Sequence, residues 1–193
     1  MTHVQYQRTR EMSIDELLLE SRVVFLFGEI NQASAARVMM QMLYLADQKK
    51  GQDINFYINS PGGIVDDTLA IYDTMRFISS KIATYCVGRA YSGAALLLAA
   101  GEPGRRSILP HAKVMIHQPY GGVTGQSADI QIQAAQIIRD KQLLIRILAD
   151  HTGRPAEQVQ KDSERDKYFN AGEAKEYGLV DHILQQSPDP AKS

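Results

Sequence analysis

Ser92, His117 and Asp166 together supply the residue types that acyl transfer needs. A serine hydroxyl becomes a nucleophile when a base of near-neutral pKa removes its proton and an acid group holds that base in one tautomer. Taken singly, each has an ordinary explanation. Ser92 could simply cap the apolar helix that follows it, and His117 could be a hydrogen-bonded histidine ending a strand before Gln118-Pro119. Asp166 lies in the charge run from Lys161 to Lys167. The surroundings of Ser92 add weight. A serine at a helix N-terminus faces unpaired N–H groups, where the negative oxygen of a tetrahedral intermediate can be stabilised. Ser60-Pro61-Gly62-Gly63 adds a glycine-rich turn at a strand end, read as letting substrate approach the backbone closely. The G-x-S-x-G elbow is absent, because positions 90 and 94 are alanine.

Other chemistries find little support. The five histidines include no HExxH spacing, and the single cysteine, Cys86, can form neither an internal disulfide nor a cysteine metal site. Its apolar neighbours make it a small buried hydrophobe. There is no GxxxxGK[ST] loop, so the chain cannot itself be an ATPase, and no cofactor is expected. Twenty-one Lys+Arg against 22 Asp+Glu give no electrostatic reason to expect nucleic acid or an anionic membrane as partner. The first 25 residues lack an apolar signal core, and the longest apolar run, Gly93 to Ala100, is too short to span a bilayer. A cytoplasmic protein is expected.

The elements that must position these residues follow an α/β rhythm. Strands are expected at Val23 to Phe27, Ile54 to Ile58 and Ile82 to Val87, separated by helices. One helix carries apolar residues at 35, 38, 39, 42, 45 and 46, and the next carries Ile71, Met75 and Ile78. Ser92 opens a wholly apolar, hence buried, helix ending near Gly101. Strand-like runs at Ser107 to Pro110 and Val114 to Ile116 precede a long helix, Ser127 to Thr152, with Ser127 as N-cap and Gly153 as stop. Its apolar stripe is longer than one compact domain needs, which predicts contact with another subunit. The 193 residues read as a single domain with mainly parallel core strands. Residues 1–20 form an N-terminal segment, and 185–193 a disordered tail.

Four strings carry a resemblance: Tyr57-Ile58-Asn59-Ser60-Pro61-Gly62-Gly63, Gly88-Arg89-Ala90-Tyr91-Ser92, Val114-Met115-Ile116-His117-Gln118-Pro119 and Glu164-Arg165-Asp166. In order and spacing the chain resembles the proteolytic subunits of Clp proteases, from about residue 20 to 184. The resemblance implies a crotonase-like ββα superhelix with a projecting handle, residues 120–152, built from a strand and the long helix. It also implies a serine endopeptidase with Ser92 as nucleophile, His117 as base, Asp166 as its orienting acid, and the N–H groups of Gly63 and Gly93 as oxyanion hole. The implied partners are the chain itself in two stacked seven-membered rings, an ATP-driven AAA+ unfoldase, and the unfolded polypeptides it feeds in.

The chain departs from the family pattern at several points. Ser92 is followed by Gly93 where methionine is usual, which predicts a looser oxyanion hole and a gain in turnover for Gly93→Met. Asp66 and Asp67 stand where small residues are usual, suggesting an altered substrate pocket. The N-terminal segment lacks the usual apolar start. Asn55 and Ser107 replace aromatic walls of the cleft where the unfoldase docks, leaving Tyr57, Phe77 and Leu109, and predict weak docking. Two other readings stay open at this point. One is an acyl-CoA hydratase or isomerase of the same fold, against which the Ser/His/Asp set argues. The other is a catalytically weak ring subunit working with a paralogous one.

Overall fold

The computed structural model describes residues 12–49, 51–119 and 124–185. The order is α1 (Ile14–Glu20), β1 (Val23–Phe27), α2 (Gln32–Gln48), β2 (Ile54–Ser60), α3 (Val65–Phe77), β3 (Ile82–Tyr91), α4 (Gly93–Ala99), β4 (Arg106–Ile108), β5 (Lys113–Ile116), α5 (Ser127–Thr152), α6 (Ala156–Asp162), β6 (Lys167–Phe169), α7 (Ala171–Tyr177) and β7 (His182–Ile183). This is the expected α/β architecture. Strands β1-β2-β3-β4-β7 run parallel in that spatial order, and among the described residues only the β5–β6 pairing is antiparallel. Strand β2 shows why such a sheet is stable: Ile54, Phe56, Ile58 and Ser60 are buried, and the residues between them are half-buried.

Several boundaries differ from those expected: β2 runs on from Ile58 to Ser60, and β4 is Arg106–Ile108 rather than Ser107 to Pro110. Strand β3 does not stop at Val87 but runs to Tyr91, because Gly88 is a bulge rather than an end. At φ +88 it brings the backbone close to the Asn59 side chain, and the β2 partnering jumps from Ile58↔Cys86 to Ser60↔Ala90. The bulge divides β3: Thr84–Cys86 pair with β4, and Arg89–Tyr91 pair with β5. Helix α2 begins earlier than its apolar stripe, since Asn31 caps it and exchanges reciprocal hydrogen bonds with Ser34. The cap of α5 is Gln126, and Ser127 is already its first helical residue. Gly153, left-handed at φ 70, ends that helix as expected.

Helix α4 is buried from Ala94 to Ala99, as an all-apolar helix must be. Cys86 is fully buried, and burial pushes its thiol up to about 12. Helix α5 is different: only Ile147, Leu148 and Ala149 are buried, while Ile130, Ile132 and Ile138 are exposed. Its C-terminal third belongs to the core, and its N-terminal part stands away from it. The strand half of the expected handle falls largely on residues 120–123, outside the described residues, as do residues 1–11 and 186–193 of the two terminal segments.

Candidate active site

Three neighbouring strand ends converge on one point. Parallel pairing of β3 with β5 sets Tyr91 beside Met115, so the next residues, Ser92 and then His117, leave the same end of the sheet. Antiparallel pairing of β5 with β6 sets Ile116 opposite Lys167, and one further step along each strand brings His117 to Asp166. The side chains meet accordingly. Ser92 Oγ lies 2.9 Å from His117 Nε2, and His117 Nδ1 lies 3.1 Å from Asp166 Oδ1. With a neutral imidazole protonated on Nδ1, that N–H donates to the carboxylate, and the Nε2 lone pair accepts from the serine hydroxyl. The imidazole is 15% exposed and the carboxylate 55%.

Ser92 is not an ordinary helix cap. Its side chain makes no capping hydrogen bond, and its backbone sits at φ 56, ψ −124, a region that side-chain-bearing residues rarely adopt. Its N–H donates to the carbonyl of Met115 at 2.8 Å, which pins the turn to β5. Gly62 makes the turn possible from the other side. A Cβ on Gly62 would stand 2.7 Å from Ser92 Cβ and 3.1 Å from Gly93 N. A Cβ on Gly63 would overlap the backbone of Ile30, with which Gly63 forms a bridge. The two glycines of Ser-Pro-Gly-Gly are thus required by the packing of chain on chain, and both also line the cavity that adjoins Ser92. The N–H groups of Gly63 and Gly93 donate to no backbone carbonyl among the described residues.

A cavity of about 500 Å³ adjoins Ser92. Leu96, Ile116, Leu144, Ile145 and Leu148 make its wall apolar. Asp66 and Asp67 do not line it, contrary to the pocket change expected of them; they sit in the first turn of α3, and the residues of that helix that line the cavity are Val65 and Thr68. The looseness expected of Gly93 has no space either, because Thr68 fills the volume a side chain there would need. The expected benefit of Gly93→Met falls with it.

Two supporting residues escaped the sequence reading. Gln118 accepts from Lys141 Nζ of α5 at 2.7 Å and donates through Nε2 to the Glu164 carbonyl at 3.1 Å, while its own N–H donates to the carbonyl of Ser163. It ties the long helix to the loop that carries Asp166. Asp162 anchors that loop. It accepts from Lys167 Nζ at 2.5 Å, Gln158 Nε2 at 2.9 Å and the Tyr177 hydroxyl at 3.0 Å. Burial pushes its carboxyl up, but these hydrogen bonds and the Lys167 charge outweigh burial and hold it below its ordinary value. Gln118 stands in one of the strings that carry the resemblance, but its supporting bonds run to partners 23 or more residues away. Asp162 has Gln158 and Lys167 nearby in sequence, and Tyr177 closes its corner from α7.

A second cavity, about 380 Å³, lies at the β2–β3–β4 face and is lined by Asn55, Tyr57, Tyr85, Ser107, Leu109 and Leu184 among others. Tyr57 and Tyr85 stack at 4.6 Å, and the Tyr85 hydroxyl donates to Asn55 Oδ1 at 3.2 Å. Phe77 does not line it and is 84% exposed.

Comparison with known proteins agrees with the geometry. A family model described as Clp protease matches residues 6–187. The chain is 51% identical over 187 residues to the ATP-dependent Clp protease proteolytic subunit 1 of Rhodopirellula baltica, covering 97% of this chain and 82% of that relative.

Proposed function

This chain belongs to the Clp protease family, and from that membership we propose that it is a cytoplasmic serine endopeptidase subunit that cleaves unfolded polypeptides delivered by an ATP-driven unfoldase. The observation that carries the catalytic assignment is the Ser92–His117–Asp166 relay, with contacts of 2.9 and 3.1 Å. His117 Nε2 takes the proton of Ser92 as Oγ attacks the scissile carbonyl, and Asp166 holds the resulting imidazolium. The N–H groups of Gly63 and Gly93 receive the oxyanion. The imidazolium then protonates the leaving amine, and water, activated by the same histidine, releases the acyl group. The apolar cavity beside Ser92 suits an apolar side chain next to the scissile bond.

Assembly into stacked seven-membered rings accounts for the uncovered apolar residues of α5, Ile130, Ile132 and Ile138. The second cavity, with its stacked tyrosines, is the docking place for an apolar anchor of the unfoldase. Among the described residues no helix is long and apolar enough to cross a membrane.

Ser92→Ala tests the central assignment. It is expected to abolish peptide cleavage and fluorophosphonate labelling while the assembly persists in light scattering. Labelling at the wild-type level in that variant would refute it.

A further inference from the structure

We propose that Thr68 is a positioning residue for the N–H of Gly93: its branched side chain fills the space beside Gly93 and thereby fixes where that amide points. The inference rests on the oxyanion-binding role proposed above for Gly93. Thr68 lies near the start of α3 and is 1% exposed. Its N–H and its hydroxyl both donate to the Ile64 carbonyl, at 3.0 and 2.9 Å. A β-branched side chain in a helix has few rotamers, and the hydroxyl bond selects one of them.

In that rotamer both branches press on Gly93. A Cβ built there would overlap Thr68 Oγ1, stand 2.9 Å from Cγ2 and stand 3.2 Å from Thr68 Cβ. Contacts this short leave no room for any residue but glycine unless Thr68 moves. Gly62 comes close as well: a Cβ added there would stand 3.1 Å from Gly93 N. Gly93 therefore has the Thr68 side chain against its α-carbon and the Gly62 backbone near its N–H. A residue with freer backbone torsions than any other is held still by its neighbours. Thr68 and Gly93 both line the cavity beside Ser92, so displacement of one is felt where the carbonyl oxygen would sit. The pair works as one unit, in which a large residue at 68 requires a small one at 93.

The test is steady-state cleavage of a small fluorogenic peptide by the assembled protein, with fluorophosphonate titration of each variant. Thr68→Ala only removes atoms. It is expected to lower kcat about tenfold with little change in KM, less than the 10²–10³ that follows outright loss of an oxyanion donor. Thr68→Val keeps the shape without the hydroxyl; valine in a helix has one strongly preferred rotamer of its own, and Ile64 O keeps its N–H donor, so kcat is expected to stay within about twofold of wild type. Gly93→Ala is expected to be impaired, and Thr68→Ala/Gly93→Ala to recover part of that loss. Wild-type kcat in Thr68→Ala, or equal losses in the alanine and valine variants, overturns the proposal. A double variant no better than Gly93→Ala does the same. Should Gly93→Ala fail to fold, the alanine–valine comparison decides alone. A wild-type assembly inert to peptide and to fluorophosphonate would overturn the Ser92 assignment itself, and this proposal with it, which separates the two failures.

Discussion

Ser92 holds a backbone conformation that costs on the order of 1–3 kcal/mol and persists only where its surroundings over-determine it. Here the surroundings are the Met115 carbonyl on one side and Gly62 on the other. This explains an apparent contradiction. The sequence lacks the glycines of a nucleophile elbow, yet the strand-to-helix turn has the positive φ of one. The room that flanking glycines would give is supplied across space by Gly62, thirty positions upstream, where no local motif can register it. The triad itself is legible in the strings that carry the resemblance, each of Ser92, His117 and Asp166 being ambiguous alone, and in the fold all three meet. Their least sheltered member is Asp166, whose side chain is 55% exposed. Asp166→Asn keeps an acceptor for His117 Nδ1–H but removes the charge that favours the imidazolium. We expect kcat to fall by roughly 10²–10³, short of the roughly 10⁴ seen where such an aspartate is buried. Single-turnover acylation would measure it, and an unchanged rate would remove Asp166 from the relay.

At the scale of elements, the site is a consequence of register. One residue of slippage between β5 and β6 would carry His117 away from Asp166 and turn alternate side chains to the wrong face. Periodicity revealed β1, β2 and the buried helix α4, because each buries a regular set of apolar side chains. It could not reveal β6 and β7, three and two residues long, which exist only by pairing with distant strands. Nor could it place the end of β3, where a glycine that usually stops a strand instead makes a bulge. The corner between α6, β6 and α7 depends on Asp162, and a similar carboxylate, Asp181, grips Arg106 at 2.6 Å. Both are held below the ordinary value of 3.8, with hydrogen bonds from Lys167 and Arg106 outweighing burial. The unfolded chain therefore takes up protons first as pH falls. The stability these groups contribute is complete above about pH 3.8, and is lost as pH falls through their folded values. Asp162→Asn is expected to lower stability at neutral pH and to flatten the acid limb of a plot of urea midpoint against pH. It should also slow peptide cleavage by loosening the loop that carries Asp166. A variant whose acid limb matches wild type would show that Asp162 titrates as it does in the unfolded chain.

At the scale of the whole molecule, one face carries the chemistry and another the stacked tyrosines. The resemblance predicts a docking cleft that lacks aromatic walls at Asn55 and Ser107, and both residues line the second cavity. In the folded chain Tyr85 supplies a wall that the pattern of those two positions did not reveal, because it comes from the neighbouring strand β3. Burial, and then the nearby Tyr57, raise the Tyr85 hydroxyl above its ordinary value of 10.0, so it remains a donor to Asn55 throughout the neutral range. Asn55 thus has one polar atom already satisfied, and the desolvation that an incoming apolar anchor demands falls mainly on its NH₂ group. Aromatic side chains in such clefts carry a large share of binding energy. Tyr85→Ala is therefore expected to weaken unfoldase docking at least tenfold, about 1.4 kcal/mol, and to leave cleavage of small peptides unchanged. Asn55→Leu removes the amide while keeping its approximate volume, and is expected to strengthen docking. Binding of the assembled protein to an immobilised unfoldase ring measures both. Equal affinity of wild type and Tyr85→Ala would mean that the anchor sits elsewhere. Weaker binding by Asn55→Leu would mean that the unfoldase loop reads the amide through a hydrogen bond, and that this cleft is adapted to a polar anchor.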